Sequence, residues 1–259
     1  MNPAKNGGIT ALADEQHRRK SSYRLGTDCP MNPYSDGKIV DSWMKNASQW
    51  SSAVRGGHIE SRNLITNKAI VEAVLSHSPK SVLDIGCGEG WLIRELSSQV
   101  PHLVGVDVVP DLIEQAKSAG GGHFQVVSYE DVAGGAVEGL FDVVVCNFSL
   151  LGKESVEALF VAIPAILNPG GALIVQTPHP MMADDLPYID GWRSGSWTGF
   201  GADFIDPAPW YFRTLESWVA LFSGNGFRLL EMREPIHPKT HQPASVIFTG
   251  INMARRGTV

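Results

Sequence analysis

Val82-Leu83-Asp84-Ile85-Gly86-Cys87-Gly88-Glu89-Gly90 reads as a buried strand ending in an acid, then three alternating glycines before a helix starts at Trp91. Glycine at these positions permits a tight turn and lets a ligand approach the backbone closely. An acid at the end of an apolar strand has no packing reason to be there. The spacing is GxGxG and not GxGxxG, and Trp91 stands where a dinucleotide fold needs its last glycine. A bulky ring where helix and strand must pack closely argues against a nicotinamide dehydrogenase. The GxxxxGK[ST] pattern of a P-loop is absent as well.

Working outward, short apolar runs alternate with helical stretches. Strands are expected at Ser81–Ile85, Leu103–Asp107, Phe124–Ser128, Phe141–Asn147 and Ala172–Thr177. Helices are expected at Trp91–Ser98, Pro110–Ser118 and Glu154–Leu167. Runs such as Val143-Val144-Val145 lack alternation, as strands covered on both faces do. This rhythm predicts a doubly wound α/β fold with a mostly parallel sheet. Leu215–Ser223 reads as a further helix, and Phe227–Arg233 with Ser245–Ile251 as a closing antiparallel pair. Asp107 lies 21 residues past Gly86, at the end of the second strand, where an acid can accept both hydroxyls of a ribose. Asp84, Asp107, Ser128 and Asn147 all fall at carboxyl ends of strands, where open sheets bind ligands.

Upstream, Trp43, Ala47 and Trp50 are spaced for one face of a helix over Ile39–Trp50. A second helix is expected over Ile59–Leu75, with Leu64, Ala69, Ile70, Ala73 and Val74 facing inward. Residues 1–35 lack periodicity and read as a loosely ordered extension, and Met31 is a candidate natural start. Residues 36–78 form a helical segment and 79–254 the main domain. The stretch 178–213 breaks the rhythm with prolines, glycines and three of the seven tryptophans, and long loops of this kind tend to be functional.

The chain has 259 residues, 43% of them hydrophobic, enough for one large α/β domain with additions. Its net charge is −6, without a basic stripe; no nucleic-acid partner is expected. Cys29, Cys87 and Cys146 give no disulfide framework and no zinc spacing. No signal peptide or membrane span is read, so a cytoplasmic enzyme without a membrane partner is the default.

DIGCGEG (84–90), GVD (105–107), FDVVVCNFSLL (141–151) and LNPGGALIVQTPHP (167–180) together resemble the motif series of class I S-adenosylmethionine (SAM)-dependent methyltransferases. The resemblance covers about residues 40–180. It implies a Rossmann-like sheet of seven strands, mostly parallel, with an antiparallel C-terminal strand. It implies SAM as cofactor and S-adenosylhomocysteine (SAH) as product. By that resemblance Asp84 and the backbone of Gly86, Cys87 and Gly88 hold the methionine end. Asp107 holds the ribose and Val108 flanks the adenine. Ser128 and Tyr129 stand where many relatives carry Gly-Asp beside the adenine, which leaves backbone contact there. Asn147 and Phe148 line the site near the sulfonium, and Trp43, Trp50 and Arg62 form a closing lid. The tail through GWR, PWYFRTLESW and EPIHP resembles a branch of uncharacterised bacterial methyltransferases acting on small molecules.

The acceptor side is expected in the irregular stretch. His179 directly follows the fifth strand and is the candidate general base, with Tyr211 beside it; the plainer reading is a histidine capping a proline-rich turn. Trp192, Arg193, Trp210, Tyr211 and Arg213 are candidate substrate contacts, although a satellite core and structural ion pairs explain them too. Metal binding by His179, His237 and His241 is set aside, because their spacing is loose and no acid is near. Methyl transfer to a small organic acceptor is the leading expectation, with a possible homodimer. The alternatives are a SAM-binding scaffold or sensor, and a methylase of RNA or protein. Asn147-Phe148-Ser149-Leu150 lacks the NPPY pattern of DNA or protein-amide methylases.

Overall fold

The structure is a computed structural model, and it describes residues 33–182, 186–200 and 203–253. Seven strands form the main sheet: β1 Ser81–Ile85, β2 His102–Asp107, β3 His123–Val126, β4 Phe141–Asn147, β5 Leu167–Thr177, β8 Phe227–Arg233 and β9 Val246–Asn252. Between β5 and β8 lie two short strands, β6 Gly191–Arg193 and β7 Trp210–Phe212, which pair with each other. The main sheet runs in the order β3-β2-β1-β4-β5-β9-β8. β1 to β5 are mutually parallel, and β9 pairs antiparallel with both β5 and β8. The order reverses between β1 and β4, so a crevice opens beyond their carboxyl ends.

Both faces of the sheet are covered, which is why its central strands are apolar throughout. On one face α6 (Glu154–Ile166) and α7 (Leu215–Gly224) pack Phe160, Trp218 and Phe222 against Phe227 and Phe248. On the other, α2 (Asn67–Leu75) and α3 (Trp91–Leu96), with α4 (Pro110–Ala119), bury Ile70, Leu92, Ile93 and Ile113. α4 starts with a proline at its first turn, where a missing N–H costs nothing. After β3 comes α5 (Tyr129–Ala133), opened by a capping box between Ser128 and Asp131. The sequence reading extended a strand to Ser128 there; the cap stops it.

The first helix, α1, runs Asp36–Arg55, longer than its aromatic face alone suggests. Ser35 caps it by accepting from Lys38 N at 3.2 Å. The expected helix over 59–75 is interrupted by a π-helical turn, Arg62–Thr66, before α2. The wider turn changes which residues within it face inward. Leu64 is therefore exposed where an inward position was expected, and Arg62 and Thr66 are buried instead. No helix among the described residues is long and apolar enough to cross a membrane. Cys29, Met31 and the proposed N-terminal extension up to residue 32 lie outside the described residues.

Candidate active site

A pocket of about 210 Å³ opens at the carboxyl ends of the strands. Its floor comes from the loops after β1, β2, β3 and β4: Gly86 and Gly88, Asp107 and Val108, Ser128 and Tyr129, Asn147 and Phe148. Its roof is α1, through Ile39, Val40, Trp43 and Trp50. Trp43 and Trp50 meet edge to face at 5.0 Å between ring centroids.

The glycine loop is shaped by its neighbours. Gly86 has φ of 75° and Gly88 of 56°, conformations that side chains rarely adopt. A Cβ on Gly86 would meet Ser149 Cβ at 2.3 Å. The Cys87 side chain points into the core and burial pushes its thiol well up, so only its backbone belongs to the site. Asp107 is pinned from two sides: Gly88 N donates to Oδ2 and Val109 N to Oδ1, both at 2.9 Å. Burial raises the Asp107 carboxyl, and the amides of Val109, Gly88 and Val108 pull it back.

Beneath the floor lies a second layer. Asp84 is 2% exposed, and its Oδ1 has no hydrogen-bond partner. Burial, then the neighbouring Asp107 charge, pushes its carboxyl up to about 8, against the pull of Arg62. Arg62 is itself buried, with its guanidinium 5.5 Å from the Trp50 ring centroid and 4.7 Å from that of Trp91. Its Nε donates to Asn67 Oδ1 at 3.2 Å, while one terminal nitrogen is unsatisfied. Burial lowers its pKa to about 10, opposed by Glu89 and Asp84. Asn147 Oδ1, Thr66 Oγ1 and Gln176 Oε1 are also buried without partners. Orphaned buried donors and acceptors are rare and call for an explanation. The zwitterionic end of an amino acid fits this set, since it brings acceptors for Arg62 and donors for the oxygens.

Glu89, which the sequence reading passed over, is fully buried in the same loop. Arg94 donates to both its carboxylate oxygens at 2.7 Å, and Arg55, at the end of α1, donates to Oε2 at 2.8 Å. Asp36 was missed as well. Its two carboxylate oxygens accept from Lys153 N at 3.0 Å and Ser155 N at 2.7 Å, which ties the start of α1 to the start of α6. No local pattern in the sequence announces a cap supplied from 117 residues away.

The expected acceptor wall does not meet this pocket: among the described residues of 178–213, none lines it. His179 is 3% exposed; its Nδ1 accepts from Met181 N at 3.1 Å, and its Nε2 lies 2.7 Å from Glu234 Oε1. Accepting at Nδ1 leaves Nε2 as the N–H that donates to Glu234 Oε1, so both ring nitrogens are engaged. His179, expected at the pocket mouth, is not among the residues that line the pocket. Trp210, Tyr211 and Arg213 line a separate narrow crevice behind Leu150 and Leu151. Tyr211 N donates to Leu151 O, and Arg213 donates to the carbonyls of Gly152 and Lys153. Arg193 stacks 3.5 Å over Phe212 and donates to Pro187 O, and Trp192 packs edge-on to Tyr211. Tyr211 and Arg213 thus brace the 151–153 loop, and none of these side chains lines the pocket.

Described residues between 197 and 206 pack on α1. Trp197 meets Trp43, and Phe200 meets Trp50. Asn46 exchanges two hydrogen bonds with the backbone of Ile205, and Asp206 pairs with Lys38 and Lys45. The aromatic residues therefore back the roof and do not replace it.

A family model for a methyltransferase domain matches residues 41–232. An uncharacterised methyltransferase of Mycobacterium bovis is 26% identical over 131 residues, 48% of this chain and 64% of its own length. A ubiquinone biosynthesis O-methyltransferase of Xylella fastidiosa is 34% identical over 116 residues, 42% of this chain and 46% of that one. These matches span about half to just under two thirds of the relatives' lengths. Among solved structures, magnesium protoporphyrin IX methyltransferase of Synechocystis PCC 6803 with bound SAM shares the fold at a TM-score of 0.56. It is 16% identical, over 87% of this chain and all of that one. A glycine loop between two strand-end acids, on a seven-stranded sheet with one reversed strand, thus coincides with a family match over most of the chain, which belongs to the class I SAM-dependent methyltransferases.

Proposed function

We propose that the pocket holds SAM and that the chain transfers its methyl group to a small organic acceptor. The observation that carries this reading is the orphaned set of Asp84, Arg62 and Asn147 beneath a floor ending in Asp107. In this reading Arg62 receives the methionine carboxylate, and Asp84 with the backbone of Gly86–Gly88 receives the ammonium end. Asp107 takes the ribose hydroxyls, while Val108, Ser128 and Tyr129 border the adenine. Asn147 and Phe148 stand beside the sulfonium, and Trp43 and Trp50 close over it.

Bound there, SAM would supply a methyl already activated by positive charge, leaving as a neutral thioether. The protein's part is alignment and exclusion of water. Holding reactants in a near-attack arrangement can supply roughly 7–11 kcal/mol of a barrier. The roof of tryptophans and aliphatic side chains suits water exclusion. Among the described residues no histidine lines the pocket, and the Tyr129 hydroxyl donates to Ser149 O at 2.8 Å, its pKa pushed well up by burial. Positioning, and not a base from the aromatic segment, is the main contribution.

Isothermal titration with SAM and SAH, followed by a turnover assay for SAH across a metabolite panel, tests both parts. Binding of neither removes the cofactor assignment. Binding without turnover on any acceptor favours a sensor.

A further inference from the structure

Past the acids that face the cofactor, the pocket continues between the first turns of α1 and the start of α6. Gly37, Val40, Phe148, Leu151, Gly152 and Ser155 border this end. Phe148 is held at φ of 55°, a left-handed conformation that bulky residues adopt only when their surroundings impose it. Its N–H donates to Gln176 O at 2.8 Å, which fixes the backbone there.

The basic groups around this end are all committed, and of the acids lining the pocket Asp36 is the one on this side, while Glu130 belongs to the α5 end beside Ser128 and Tyr129. Among the described residues no lysine, arginine or histidine lines the pocket. Lys38 is turned to Asp41 and Asp206, and Lys153 to Glu154 and Glu157. Arg213 is spent on two carbonyls behind the loop. The Asp36 carboxylate already accepts two amides. An anionic acceptor would be desolvated without a counter-charge from the protein. A cationic one would find a carboxylate whose oxygens are engaged. Burying an unpaired charge is costly, whereas an apolar ring loses little.

We infer that this end is the acceptor subsite and that it selects uncharged, apolar acceptors, with Phe148 and Val40 as its specificity-determining walls. The inference rests on the cofactor reading, because the subsite is defined as the part of the pocket left beyond SAM. The Ser155 hydroxyl, which has no hydrogen-bond partner among the described residues, is the one polar group there free to orient an acceptor.

The test uses three single-ring probes: phenol, benzoate and benzylammonium. Each is titrated into the protein saturated with SAH, and again with sinefungin, which carries an ammonium near the sulfonium position. Ligand-observed NMR reads the affinities. Phenol is expected to bind at least about tenfold more tightly than either ion with both cofactor analogues. Val40→Lys is expected to close or invert the gap between phenol and benzoate. Equal affinities, tighter binding of an ion, or no binding of phenol to the SAH-loaded wild type overturns the inference. Selective binding of phenol by a protein that does not bind SAH would keep the selectivity and remove the cofactor reading.

Discussion

The floor and the roof of the pocket are held in place by different interactions. On the floor, Asp107 is fixed by backbone amides of its own and the neighbouring loop, and Gly86 is shaped by contact with Ser149. On the roof, α1 is held mainly through side chains that reach distant parts of the chain: Asp36 to the start of α6, Lys38 and Lys45 to Asp206, Asn46 to Ile205, and Arg55 to Glu89. A floor of backbone bonds between paired strands is rigid, because moving it means opening the sheet. A roof of partly exposed side-chain contacts is the low-stability part, from which lids are drawn. The difference suggests that the floor sets affinity for the adenosine and the roof sets access.

The largest break in this contrast should come from the floor. Asp107→Ala is expected to weaken SAH by about 100-fold or more, since bonds to a charged acceptor are worth about 1.5–3 kcal/mol each. Methylthioadenosine, which lacks the amino-acid end, should weaken in parallel. Calorimetric titration showing unchanged affinity for both would remove the ribose assignment.

Arg62→Met comes next and separates the two layers of the floor. SAH should bind about tenfold more weakly, as when a charged hydrogen bond is lost, while methylthioadenosine binds as before. An equal loss for both ligands would mean that Arg62 acts only by packing between Trp50 and Trp91.

Asp84→Asn sharpens the comparison through pH. The folded carboxyl is pushed up to about 8, whereas in an unfolded chain it titrates near its ordinary 3.8. Between those values the native state holds a proton that the unfolded state has released. The stability of the ligand-free protein therefore falls as pH rises from about 4 to 8. The variant should lack that part of the slope and melt higher than wild type at pH 8, by at least about 2–4 °C. Scanning calorimetry from pH 5 to 9 without ligand reads this directly, and parallel slopes would refute it.

The smallest effect is expected at the roof. Asp206→Ala removes partly exposed ion pairs, which contribute little to global stability. The melting temperature should hardly move, while hydrogen exchange over residues 36–47 speeds up on the order of a few-fold without ligand. Addition of SAH should restore slow exchange. Exchange rates unchanged by both the mutation and the ligand would argue against α1 as a closing element.

The floor was legible in the sequence for a local reason. Asp84, Gly86, Gly88 and Asp107 follow directly from strand–turn–helix chemistry, where each residue type is needed by its own backbone. The acceptor side was not, because its contacts join residues far apart in the chain. His179 stands beside the fifth strand in sequence, yet its partner Glu234 arrives 55 residues later and engages Nε2, while the Met181 amide occupies the Nδ1 lone pair a base would use. The rings of 192–213 read as a pocket wall by composition, but composition does not say which face of a ring meets which neighbour. Leu64 was misplaced because it lies within a π-helical turn, invisible to a period of 3.6, whose wider spacing turns Arg62 and Thr66 inward instead.

By itself, the sequence determined the order of strands and helices, the glycine loop and the acids at the strand ends, because periodicity and turn chemistry act over a few residues. Tertiary structure alone decided that Asp36 caps a helix across the molecule, that Arg62 lies between two indoles beside Asp84, and that the aromatic segment backs α1 and leaves the pocket to others. Those outcomes depend on which surfaces meet once the sheet has formed, and burial then sets which charges are paired and which are left waiting for a ligand.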